Sequence, residues 1–216
     1  MLVDKEAIIE ALWETISMVG FSLLFSTLIG LPLGILLVVT RKGHLFENTV
    51  IFTILNTIIN IFRSVPFIIL MVAIVPLTRL IVGTSIGTAA AIVPLVFYAG
   101  PYIARLIENS LLEVDKGVIE AAEAMGATPL QIIFRFLVPE ALSSLVLGLT
   151  IATIGLVGAS AMAGAVGGGG IGDLAITYGY QRFDEKVMFI TVAILIIAVQ
   201  GLQTSGNLLS KKIRRR

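Results

Sequence analysis

No cysteine occurs among the 216 residues, which excludes disulfides and thiolate-held metals. His44 is the only histidine, and one imidazole cannot build a metal site alone. No lysine follows a glycine, so the Gly-Lys-Ser/Thr core of a phosphate-binding loop is missing. This chain therefore cannot hold ATP through such a loop. No nucleophile, base and orienting group stand in a pattern that supports an enzyme. Charge is scarce as well: 13% of residues are Asp, Glu, Lys or Arg, against about 25% in an ordinary soluble domain.

Where charge is missing, long apolar runs stand instead. Thr15–Thr40, Leu80–Ala104, Ala141–Gly172 and Val187–Ser210 carry no charge at all. Each exceeds the roughly 20 residues a helix needs to cross the hydrocarbon. A fifth run, Asn48–Thr78, is interrupted only by Arg63. The expected fold is an all-α polytopic membrane protein, with residues 1–216 forming one transmembrane domain. Its spans fall at about 15–40, 47–75, 85–112, 140–165 and 187–210. The start, "MLVDKEAIIEALWETIS", has one lysine against Asp4, Glu6, Glu10 and Glu14. A cleavable signal peptide begins basic and has a short apolar core, so the first run is expected to remain as a span.

Five spans put the termini on opposite sides. Arg41, Lys42, Lys116, Arg135, Lys211, Lys212, Arg214, Arg215 and Arg216 fall on one side, with Arg105 at its border. Lys5, Arg79, Arg182 and Lys186 fall on the other. The basic side is cytoplasmic, so the N-terminus is expected outside and the C-terminus inside. The terminal "KKIRRR" reads as an anchor at anionic lipid rather than a nucleic-acid site.

One cytoplasmic segment, residues 113–139, is neither a span nor a plain solvated loop. Gly126 suits the left-handed position that ends a helix. Thr128, Pro129 and Gln131 then form a capping box with proline at the first helical position. Pro139 is expected to open the fourth span. Ile119, Ala122, Met125, Ile132, Ile133 and Phe136 exceed what two short helices bury against each other. They must face lipid headgroups, the rest of the chain, or another protein.

Glu120-Ala121-Ala122, Gly126 four residues on and Pro139 thirteen after that resemble the EAA motif of ABC importer permeases. Phe136 and Val138 stand where that family usually has Ile and Leu before the proline. "YIARLIENSLLEVDKGVIEAA" is similar to the amino-acid importer branch. Within it, "NIFRSVPFIIL", "PLTRLIVGTSIG", "AMGATPLQI" and "AVGGGGIG" resemble the methionine-import permeases. The resemblance implies a type I permease fold and a homodimer in the bacterial cytoplasmic (inner) membrane. It also implies two cytoplasmic ATPase subunits, which bind ATP and Mg, and a substrate-binding lipoprotein outside. This chain would bind no cofactor, and it would carry methionine. The loop would be the coupling helix, through Glu120, Ala121, Ala122, Met125, Gly126, Ala127, Pro129 and Gln131. Small Ala121 and Ala122 would permit close approach, and Glu120 would pair with a basic residue of the partner. A helix lying on lipid is usually rich in Lys and Arg, whereas this one shows Glu120 and Glu123. Two alternatives remain: a permease for another amino acid or a quaternary amine, and an uncoupled channel or membrane scaffold.

Candidate pathway residues are Asn56, Asn60, Arg63, Ser64 and Met162. Asn56, Asn60, Arg63 and Phe67 share a helix face by spacing. A charge inside a span is by default a functional hypothesis. Arg63 either holds a kink, by bonding the Phe62 carbonyl that Pro66 leaves free, or meets a substrate carboxylate. Met162, a lone bulky thioether in "GASAMAGAVGGGGIG", could plug a pore or adapt to an apolar substrate; packing against lipid is the plainer alternative. The surrounding glycines suit close helix packing and a flexible outer loop. Arg105 and Glu108, three apart, are expected to form an interfacial ion pair.

Overall fold

The structure is a computed structural model, and it describes residues 3–214. Every regular element among them is helical, as lipid requires of a backbone that must satisfy its own hydrogen bonds. In chain order they are α1 (Lys5–Val39), α2 (Thr49–Ser64), α3 (Phe67–Ala73), α4 (Val75–Val82), α5 (Thr88–Leu112) and α6 (Lys116–Ala124). Then come α7 (Pro129–Gln131), a π-helical stretch (Ile132–Leu137), α8 (Val138–Glu140) and α9 (Leu142–Ala163). A second π stretch (Gly164–Gly168), α10 (Gly170–Leu174), a third (Ala175–Tyr180) and α11 (Glu185–Arg214) complete the chain.

Among the described residues, four helices are long and apolar enough to cross a membrane: α1, α5, α9 with its π extension, and α11. A fifth crossing requires α2 and α3 to count together, and they meet at 101°. The second span, expected at about 47–75 with a kink at Pro66, is bent far more sharply than a proline kink. Val65 is extended, with φ −90° and ψ 123°, as the residue before a proline tends to be. The break ends the helix face carrying Asn56, Asn60 and Arg63. Phe67 is not on that face; it lies buried at the start of α3.

α1 packs along α5 at the centre, with α9 against both. Gly30 and Gly34, one turn apart, make the α1–α5 contact possible. A Cβ on Gly30 would lie 2.9 Å from the Gly100 carbonyl oxygen, and one on Gly34 2.7 Å from that of Ala104. Small residues four apart let membrane helices approach to backbone contact. Met18, Leu37, Leu95, Ile103 and Leu156 fill the core. α11 lies outside, with only 11% of its most apolar window buried. Its Phe189, Ile196 and Ile197 face outward, as suits a hydrocarbon surround.

Pro139 does not open a new helix. Apart from a single turn residue, Ala141, the chain stays helical from Pro129 to Ala163. The π stretch ends with the Val138 N–H on the Ile133 carbonyl. That wider turn accommodates the proline's missing donor.

Candidate functional site

The bend between α2 and α3 opens a cavity of about 540 Å³. Its walls are Arg63, Ser64 and Val65 at the end of α2, Pro66, Phe67 and Ile68 at the start of α3, Tyr98 of α5, and Gly155, Gly158, Ala159 and Met162 of α9. The size lies in the range of small-molecule sites. Phe67 and Tyr98 meet edge to face at 5.3 Å between centroids. The Phe62 carbonyl accepts the Val65 N–H at 3.4 Å, and Ser64 Oγ donates to the Asn60 carbonyl at 2.7 Å. The kink is thus closed without Arg63. Among the described residues, the exposed Arg63 guanidinium has neither an ion pair nor a hydrogen bond. Three of the five candidate pathway residues, Arg63, Ser64 and Met162, come together here.

Asn56 and Asn60 do not line this cavity. Arg105 Nη2 donates to Asn56 Oδ1 at 2.7 Å and to Asn60 Oδ1 at 3.0 Å. Arg105 Nη1 pairs with Glu108 Oε2. The pair expected at the interface is instead built into the helix packing, with the Glu108 side chain only 1% exposed. Glu108 Oε1 is buried without a hydrogen bond, 3.9 Å from Arg41 Nη1. This network ties α2 to α5 and reaches the end of α1.

From α5 the chain turns directly into α6. The Asp115 side chain caps α6 by accepting the Gly117 N–H at 2.7 Å. At the other end Gly126 has φ +78°. Its N–H donates to the Glu123 carbonyl at 2.9 Å, and the Ala127 N–H to that of Ala122 at 3.1 Å, a paired C-terminal cap built on left-handed glycine. Thr128 and Gln131 then cap each other reciprocally, at 2.9 and 3.4 Å, with Pro129 at the first helical position.

The apolar residues of this segment divide. Ala122, Ile132 and Ile133 are buried in the chain itself. Ala122 therefore packs inward, and of the two small residues only Ala121 is exposed. Glu120 is exposed beside it. Met125, Leu130 and Phe134 are left uncovered, at 71%, 63% and 62% exposure. Phe134 escapes a reading of the sequence, because it lies in the π stretch, which turns residues away from α-helical phase; Leu130, in the single turn of α7, has too short an element to show a face.

A groove of about 330 Å³ runs beside α6, between Gly43, His44 and Leu45 of the α1–α2 loop and Lys116, Ile119, Glu120 and Glu123. Burial, then Arg41 and Lys116, hold the His44 pKa below its ordinary 6.5. The folded state thus favours neutral His44. Its contribution is full above pH 6.5 and is lost as pH falls through the lowered value. Melting curves between about pH 7.5 and 5.5 should fall less steeply for His44→Gln than for the parent. Equal slopes would remove His44 from the account.

The glycine-rich stretch after Met162 is shaped, not slack. Gly167, Gly169 and Gly170 have φ of +92°, +79° and +83°. Glu14 Oε2 of α1 accepts the Gly170 N–H at 2.6 Å, and Thr15 Oγ1 accepts the Ile171 N–H at 2.9 Å.

Residues 26–216 match the family described as binding-protein-dependent transport system inner membrane component. The chain is 50% identical over 213 residues to a probable D-methionine transport system permease protein MetI of Vibrio cholerae, covering 99% of this chain and 95% of that one. It is 54% identical over 157 residues to the D-methionine transport system permease protein MetI of Escherichia coli, covering 73% and 72%. A chain of the MetNI methionine ABC transporter in inward-facing conformations superposes with a TM-score of 0.95 at 48% identity, over 97% of each chain. A chain of an amino acid ABC transporter solved with histidines shares the fold at 18% identity, with a TM-score of 0.79 over 98% of this chain and 100% of that one. The chain belongs to the family of inner membrane components of binding-protein-dependent transport systems.

Proposed function

We propose that this chain is the membrane subunit of an ATP-driven importer for methionine, working as a homodimer. The bent α2–α3 pair counts as one of five crossings, with the N-terminus outside and the C-terminus in the cytoplasm. The transmembrane domain occupies 1–216, and residues 113–139 form the cytoplasmic coupling loop. Two ATP-binding subunits dock on that loop, through Glu120, Ala121, Met125 and the rigid turn at Gly126, Ala127, Pro129 and Gln131. Exposed Leu130 and Phe134 join that surface. ATP and Mg belong to those subunits, and a substrate-binding lipoprotein delivers methionine from outside.

The observation that carries this reading is the cavity at the α2–α3 bend. It sets an unpaired guanidinium beside Tyr98, Phe67 and the Met162 thioether. A methionine needs that combination: a cation for its carboxylate and an adaptable apolar wall for its side chain. The relatives that carry methionine support the assignment. A cationic substrate without a carboxylate would be repelled by Arg63, which disfavours a simple quaternary amine. An uncoupled channel would leave a capped turn and three exposed apolar side chains without a partner.

The test is Arg63→Met in the reconstituted complex. ATP hydrolysis should persist, because α6 is a separate element from the bend. Methionine uptake should fall about tenfold or more, since a hydrogen bond to a charged group contributes about 1.5–3 kcal/mol. Arg63→Lys should lose part of that, keeping charge without the planar fork. Uptake at the parental rate by Arg63→Met would remove Arg63 from the passage.

A further inference from the structure

The carboxylate of Glu14 sits where a helix-one side chain has no ordinary task. Its two oxygens reach two other elements. Oε2 accepts the Gly170 N–H at the start of α10, and Oε1 accepts the Thr88 hydroxyl at 3.4 Å, at the start of α5. The next residue, Thr15, takes the Ile171 N–H and passes its own hydroxyl hydrogen to the Ala11 carbonyl at 3.0 Å. The Gly87 N–H donates to the Gly167 carbonyl at 2.8 Å. The glycine-rich turn is therefore held from two sides, α1 and the start of α5. The fit is close. A Cβ on Gly169 would lie 2.6 Å from Glu14 Oε2, and one on Gly170 2.6 Å from Thr15 Oγ1.

Met162 is the next-to-last residue of α9 and lines the cavity, and the turn begins two residues later, so the turn joins the cavity wall at that point. α1 is a firm support, because Gly30 and Gly34 seat it against the α5 backbone. The turn itself has almost no side chains to hold it by packing. Beyond the close backbone packing at its glycines, it is held by a few hydrogen bonds, of which the carboxylate bond to the Gly170 N–H is the shortest. A contact made in one arrangement and absent in another biases the equilibrium between them.

We propose that Glu14 is a positioning residue of the passage: with Thr15 it clamps the glycine-rich turn, keeps Met162 across the cavity, and releases the turn when the passage opens. This rests on the reading of Met162 as lining the passage.

The chain has no cysteine, so Met162→Cys carries a single thiol. The complex with its ATPase subunits is reconstituted in liposomes, and labelling by a membrane-impermeant maleimide is followed with and without ATP. In the absence of nucleotide, adding Glu14→Ala should speed labelling on the order of tenfold. Thr15→Val should act in the same direction more weakly. Glu10→Ala, an exposed acid one turn earlier, should change nothing. An ATP-responsive thiol whose rate ignores Glu14→Ala overturns the clamp and leaves the passage intact. A thiol that never reacts, with or without ATP, overturns the passage reading and the clamp with it. Should Glu14→Ala fail to assemble, Glu14→Gln decides. It keeps an oxygen for the Gly170 N–H but only a neutral one, so faster labelling supports the clamp and the parental rate sinks it.

Discussion

Arg105→Leu should cost the folded protein about 3–5 kcal/mol, the usual effect of leaving one member of a buried ion pair alone. Glu108 would keep its carboxylate at 1% side-chain exposure, with Arg41 at 3.9 Å as its remaining cation. Asn56 and Asn60 would lose their shared donor in the same step. A loss of that size is a large part of the stability of a typical domain. It should appear as a collapse in the yield of monodisperse protein and a lowered melting temperature. The double variant Arg105→Leu, Glu108→Leu should recover much of the loss, because replacing both charges by apolar groups removes the desolvation penalty along with the attraction. A single variant as stable as the parent would show that Arg41 or water already satisfies Glu108.

The double variant also separates stability from coupling. Arg105 lies about two turns before the end of α5, just ahead of α6, and its fork holds two residues of α2, the helix whose far end carries Arg63. In the double variant α2 and α5 keep their packing but lose this polar tie. Under the proposed docking of ATPase subunits at α6, motion entering there then has one fewer rigid route to the bend. Stable protein with weakened ATP-driven uptake is the expected phenotype.

Much of this architecture is legible in the residues themselves. Charge-free runs mark four of the helices, because lipid admits only an internally bonded backbone. Gly126 and the Thr128–Gln131 capping box are local, and local chemistry needs no knowledge of the rest of the fold. The Arg105–Glu108 pairing follows from helical spacing alone. Its burial does not, because that depends on which face of α5 meets α2. The same rotation decides that Asn56 and Asn60 serve Arg105 rather than the cavity. Pro66 announces a break but not an angle of 101°. Glu14 reads as one more acid in a solvated N-terminus, and nothing nearby in the sequence points to a partner 156 residues away.

The glycines after Met162 misread most easily, because a run of glycine looks like slack chain. Gly172→Ala tests the opposite view, and it should be among the most damaging single changes in the chain. A Cβ there would lie 2.4 Å from the Ala161 Cα and 2.5 Å from its carbonyl oxygen. Both are backbone atoms, so no side-chain rotation relieves the contact. α10 would have to move away from the end of α9. The packing is as close on the other side: a Cβ on Gly164, just past the end of α9, would lie 2.6 Å from the Asp173 nitrogen. Adding a methyl group to a packed core typically costs about 1–3 kcal/mol, and a backbone clash belongs at or above the top of that range. Moving α10 also pulls the Gly170 and Ile171 N–H groups off Glu14 and Thr15. Gly20→Ala is the matched control. It has open space around its Cβ and sits inside α1, where alanine should be neutral or stabilise by up to about 1 kcal/mol. Melting temperatures of the two purified variants against the parent decide the matter, and Gly172→Ala at parental stability would mean that the turn is slack after all.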